Sequence, residues 1–407
     1  MIRARRVALV ALASFVALGL PEAVVATAWP DIADDLSRPI GDLRWLLVSY
    51  TVGYLLSSTP AGAAVSRYGV RRTASVGVGL SIAGLALYAI GPSWGWLVLA
   101  GYLLGSGAGP LDTAMNVWGT TRGPRVMNLL HACFGIGTTI GPPLTIAMAA
   151  ITSWRGAFVV LILADVALLA ALLTIGPDHR PAPHEHGARD PGIGRPSVAV
   201  ATILVTFAVY VAIEVTAGAW GYSVLRDEYG LSPAAAGFGL SAYWGALTLG
   251  RVGLGVVGRG APSRAVLRVG ATGALVSSVV FAVGGTAGAV AGLAALGLFL
   301  AGQFPALMLL TPELVGSRRA PRVVGWSLSA SGVSAALAAI AVGAQVDRAG
   351  LDVVGTNLAV ASVVLLVLVL VLTGQRTPTQ TARSSASGSD TTAHSSPNTS
   401  THRSSDR

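Results

Sequence analysis

Apolar runs of about 20 residues, separated by short polar breaks, fill almost the whole chain. A helix rises about 1.5 Å per residue, so about 20 apolar residues cross the hydrocarbon of a bilayer. Read by that rule, the pattern predicts twelve spans. The first six cover residues 7–29, 43–65, 73–91, 95–118, 127–150 and 155–175; the second six cover 198–222, 234–257, 265–285, 288–311, 322–346 and 353–373. Residues 176–197, rich in Pro, His, Arg and Gly, read as a polar linker between two sixes. Beyond Gly374 a Ser/Thr-rich tail, 375–407, lacks the apolar content to bury a core and is expected to be disordered.

The two sixes look like copies. Phe15 and Glu22 in the first span are spaced like Phe207 and Glu214 in the seventh. Arg125 and Gly135 in the fifth are spaced like Arg322 and Gly332 in the eleventh. Ser49-Tyr50 resembles Ser241-Ala-Tyr243, and Gly109-Pro110 falls where Phe304-Pro305 does. The expected fold is an all-α polytopic membrane protein: twelve transmembrane helices in two pseudo-symmetric halves, 1–175 and 198–374.

Composition supports the membrane reading. The chain is 53% hydrophobic and 11% charged, with mean hydropathy +0.67, where soluble domains average about 25% charged. The net charge of +9 forms no nucleic-acid patch. All 27 basic residues are arginine, in short clusters between apolar runs. With the N-terminus in the cytoplasm, 22 arginines lie on the inner side and five (Arg38, Arg44, Arg155, Arg226, Arg348) on the outer side, as the positive-inside rule requires. That count places Arg251 among the inner loops. The acidic outer stretch Asp31, Asp34, Asp35, Asp42 does not enter it. The basic start resembles a secretion signal, but the long run holding Glu22 reads as an uncleaved first span. A lone cysteine, Cys133, allows no intrachain disulfide. His184-Glu-His186 is too short and solvated for a metal site, and no cofactor is expected.

Acids inside spans are the candidate chemistry, because such groups are costly in hydrocarbon and face a bundle interior or a watery path. Glu22 follows Pro21, which frees a backbone carbonyl. Glu214 holds the repeat-related place. Asp112 and Asn116, four apart, share a helix face and can bind solute hydroxyls. Glu22, Asp112 and Glu214 are assigned to proton coupling or solute binding. Asn128 and His131, three apart, are assigned to solute lining. Trp220 and Tyr243 could stack on a sugar or aromatic ring, and Asp165 has a packing role.

Gly62-Ala-Ala-Val-Ser-Arg67-Tyr-Gly69-Val-Arg71-Arg72 resembles the loop signature of the major facilitator superfamily, Gly-x-x-x-Asp-Arg-x-Gly-Arg-Arg, with Ser66 in the aspartate's place. The resemblance implies a gating role for Gly62, Arg67, Gly69, Arg71 and Arg72. Leu111-Asp-Thr-Ala-Met-Asn116 and Asn128-Leu-Leu-His131 are similar to the fucose permease branch of sugar–proton symporters, with Asp112 where that branch carries glutamate. The expected function is secondary transport of a small polar, sugar-like solute, proton-coupled and by alternating access. The expected form is a monomer in the plasma membrane with both termini cytoplasmic. Proton-antiport efflux of a drug or secondary metabolite is the main alternative. A membrane-embedded enzyme would need a nucleophile–base pair or metal set, and a receptor a folded domain outside the bilayer; neither is legible, so no enzymatic activity is expected.

Overall fold

Hydrocarbon offers no hydrogen bonds, so a chain crossing it must satisfy its backbone internally, and here it does so with helices. The computed structural model describes residues 2–175, 198–256, 262–316 and 319–375. The first half holds α1 (Ile2–Asp35), α2 (Leu43–Tyr68), α3 (Val70–Ile90), α4 (Trp94–Thr120), α5 (Pro124–Ile151) and α6 (Trp154–Ile175). The second holds α7 (Val198–Ser223), α8 (Pro233–Val256), α9 (Ser263–Val283), α10 (Gly285–Leu300), α11 (Gln303–Val315), α12 (Ala320–Ala349) and α13 (Val353–Gly374). Helices α10 and α11 are one crossing, Gly285–Val315, interrupted at Ala301-Gly302. Twelve crossings in two halves result. The linker with His184 and His186, and the tail from residue 376, lie outside the described residues.

Nine crossings are apolar enough to be identified as spans by length and hydropathy among the described residues. The other three, α2, α4 and α8, are diluted by Gly, Ser, Thr, Tyr and Trp. Several of those residues serve packing between helices. On α4, Gly101, Gly105 and Gly109 repeat every four residues and form one face. A Cβ at Gly105 would collide with the Tyr50 backbone carbonyl of α2, and one at Gly109 would meet the side chain of Ser57. Small residues of this kind let helix backbones approach where lipid supplies no hydrophobic drive.

Packing follows the repeat. In the first half α1 lies on α5, α2 on α4, and α3 on both α4 and α6. In the second α7 lies on α12, α8 on α10, and α9 on both α10 and α13. The halves meet where α5 packs on α8, α2 on α12 and α1 on α7. Proline contributes at that seam. Pro143 has no N–H to give the carbonyl of Thr139 one turn earlier. The Ser241 hydroxyl of α8 donates to that carbonyl instead, at 3.0 Å. Beside it, a Cβ at Gly135 would strike Thr248.

Gly105→Leu is expected to destabilise the protein by about 1–3 kcal/mol through overpacking, read as a lower melting temperature in detergent. Gly79→Leu on α3, where a Cβ meets nothing within 4 Å, should leave melting unchanged. Equal melting of the two variants would contradict close α2–α4 packing.

Candidate functional site

Two polar groups face each other across the seam. In the first half Asp112 on α4 accepts hydrogen bonds from the Tyr54 hydroxyl on α2 and the Asn116 amide, each at 2.7 Å. Both carboxylate oxygens therefore have a donor, and neither Arg122 nor Arg125 is needed as partner. Arg122 instead donates to the Trp118 carbonyl at 2.9 Å and lies over its ring.

In the second half Glu214 on α7 is held by Tyr210, one turn earlier, and by Arg251 of α8. Arg251 Nη2 lies 3.1 and 3.2 Å from the two carboxylate oxygens and donates to the Tyr210 hydroxyl at 2.9 Å. Sequence reading placed Arg251 in an inner loop; it lies within α8, turned to the interior. An arginine several residues inside an apolar run, with a glutamate in the preceding run, was the available signal.

Glu22 of α1 joins the two groups. It is surrounded by protein yet its side chain is solvent-accessible, the condition of a group in an internal cleft. Glu214 and Arg251 act on it electrostatically, and Tyr50 feels both Glu22 and Asp112. Asn128 and His131 on α5 are also accessible. His131 meets Phe15 edge-on, ring centroids 5.2 Å apart, and lies in the field of Arg251. Tyr243 is fully buried and donates its hydroxyl to the Glu214 backbone carbonyl at 3.0 Å. Trp220 is also fully buried and packs in the helix core. Asp165 is buried on α6, on the face that carries Leu161, Leu168 and Leu172. Tyr54 and Tyr210 escaped the sequence reading; their four-residue spacing from Tyr50 and Glu214 was the only sign of a shared face.

The stretch Gly62–Arg72, expected as a loop, is helical except at Gly69: Gly62 and Arg67 lie near the end of α2, and Arg71 and Arg72 open α3. Gly69 has φ +86° and closes α2 through its N–H to the Val65 carbonyl at 2.8 Å, a conformation suited to glycine. Arg67 stacks over Tyr68, and a Cβ at Gly62 would meet open space. Ion pairs joining the halves lie at the opposite end. Arg44 of α2 pairs with Asp347 of α12, and Asp347 also accepts the Gly41 N–H at 2.9 Å. Arg226, after α7, pairs with Asp31 of α1 at 2.6 Å. Asp42 draws in Arg38 and Arg44. The cleft is thus tied shut at this acidic end.

The fold matches that of a solved nucleoside transporter, NupG in a variant form, with TM-score 0.75 and 13% identity over 89% of this chain and 98% of that one. A Major Facilitator Superfamily model matches residues 8–201. That match makes the first half of this chain similar to the superfamily. Similar proteins include sodium-dependent glucose transporter 1 of Homo sapiens, 30% identical over 135 residues, which is 32% of this chain and 26% of that protein. The hexuronate transporter of Bacillus subtilis (strain 168) is 26% identical over 161 residues, 38% of this chain and 37% of that protein. Each sequence match thus spans well under half of the relative's own length. These proteins are transporters by name.

A double-mutant cycle of Arg44→Ala and Asp347→Ala, read by melting of purified protein, should return a coupling of about 0.5–3 kcal/mol. Strictly additive effects would mean that this pair does not tie the halves.

Proposed function

We propose that this protein is a secondary transporter that moves a small polar, sugar-like solute by alternating access, coupled to protons. The observation that carries the reading is the Glu22, Asp112 and Glu214 set, borne by both halves around an accessible cleft. A solute seated there touches both halves, so its binding can bias their rocking. The acidic end must part its ion pairs to open, and the other end must then close, with Gly62, Arg67, Gly69, Arg71 and Arg72 placed to take part. Carboxyl groups in such a setting can hold and release a proton, which suits Glu22 and Asp112 to coupling and Glu214 to charge balance. Asn116, Asn128 and His131 contact the solute, with Trp220 and Tyr243 shaping the wall behind it. The named substrates of the relatives, glucose, hexuronate and nucleosides, are polar, which supports this reading. The arginine asymmetry supports cytoplasmic termini, in a protein proposed to act as a monomer in the plasma membrane.

One relative is named as sodium-dependent, so sodium is the competing coupling ion. In proteoliposomes, an inside-alkaline pH gradient should drive accumulation of labelled glucose, and a sodium gradient alone should not. The reverse result would replace the proton by sodium. No uptake under either gradient, with drug resistance on expression, would favour the efflux alternative. Asp112→Asn should abolish accumulation while leaving membrane insertion intact; unchanged gradient-driven uptake would remove Asp112 from coupling.

A further inference from the structure

The charges around the cleft do not balance evenly, and the imbalance bears on what can bind. The guanidinium of Arg251 is the fixed positive charge in the cluster, and Glu214 cancels it at 3.1 Å. Glu22 and Asp112 supply two further carboxyl groups. Whether those two are charged or protonated, Arg251 remains matched one for one by Glu214. The cluster therefore presents no surplus positive charge, while an anion entering a low-dielectric site needs one.

Hydrogen-bonding capacity is different from charge. All the contacts of Arg251 among the described residues run through Nη2, so Nη1 and Nε can still donate to hydroxyls. Asn116, Asn128 and His131 add further polar atoms, and the carboxylates add acceptors. We propose that the Arg251–Glu214 pair sets specificity for uncharged polyhydroxylated solutes: Glu214 strips Arg251 of its attraction for anions and leaves its donors. The site would accept a neutral sugar and reject a uronate of the same shape. This selectivity rests on the solute-binding reading above and narrows it. Its two parts act in opposite directions, which makes Glu214 the residue to change.

The test uses binding, so it does not depend on gradient-driven transport. Purified full-length protein is titrated with glucuronate and with glucuronamide, which share a ring and differ in charge, with melting temperature as the readout. The wild-type protein should bind glucuronamide at least about tenfold more tightly than glucuronate, a difference of about 1.4 kcal/mol. Glu214→Gln frees the guanidinium and should erase or reverse that preference, and adding Arg251→Gln should remove the gained glucuronate binding. Equal binding of the two ligands by wild-type protein overturns the proposal, and this comparison decides even where Glu214→Gln fails to fold. An unchanged preference in a folded Glu214→Gln also overturns it. Amide-selective binding without any gradient-driven uptake supports the specificity while removing the transport reading. Binding of neither ligand overturns both.

Discussion

A guanidinium inside a lipid-spanning helix must find its counter-charge within the protein, and much of the interior of this one is arranged around that requirement. Glu214 of α7 supplies that counter-charge to Arg251, and Tyr210 completes the contact. The pair fixes the register of α7 against α8, and Tyr243 fastens the same point through the Glu214 carbonyl. In the first half the equivalent region has no cation. Asp112 is held there by neutral donors, Tyr54 and Asn116. One half therefore carries a compensated charge and the other a carboxyl group hydrogen-bonded to neutral donors.

The duplicated architecture explains how such unlike groups come to face each other. Glu22 and Glu214 occupy corresponding places on α1 and α7, and the same helix pairings recur in each half. A pseudo-twofold arrangement carries related positions to opposite walls of one cleft. Divergence between the copies then gives the walls separate chemistry without changing the backbone.

Much of the fold was legible in the sequence because hydrocarbon thickness imposes a length that water-soluble cores do not. The twelve runs and the repeat could be read from spacing alone, and the acids of the cluster stood out against their apolar surroundings. Four features were missed. The interruption at Ala301-Gly302 falls in a run apolar enough to read as one span, and its signal was Pro305, which has no N–H for the Ala301 carbonyl. Arg251 was hidden by a rule that treats every arginine as a loop marker. Asp347 and Arg44 are partners across 303 residues, and nothing local in either stretch names the other. Tyr54 and Tyr210 were missed for a related reason: a phenol reads as apolar until its hydroxyl meets a carboxylate.

The hydrogen bond from Ser241 to the Thr139 carbonyl has a mechanical meaning when set beside the ion pairs. At depth, the halves touch through glycines, threonines and this one neutral bond. Charged contacts between them occur at the acidic end, where water can rehydrate each partner as it leaves. Arg251 and Glu214 both belong to the second half and travel together. In the proposed rocking Arg251 keeps its counter-charge, and the ion pairs that part are those at the rim. Such a joint can be strongly closed and still quickly reversible.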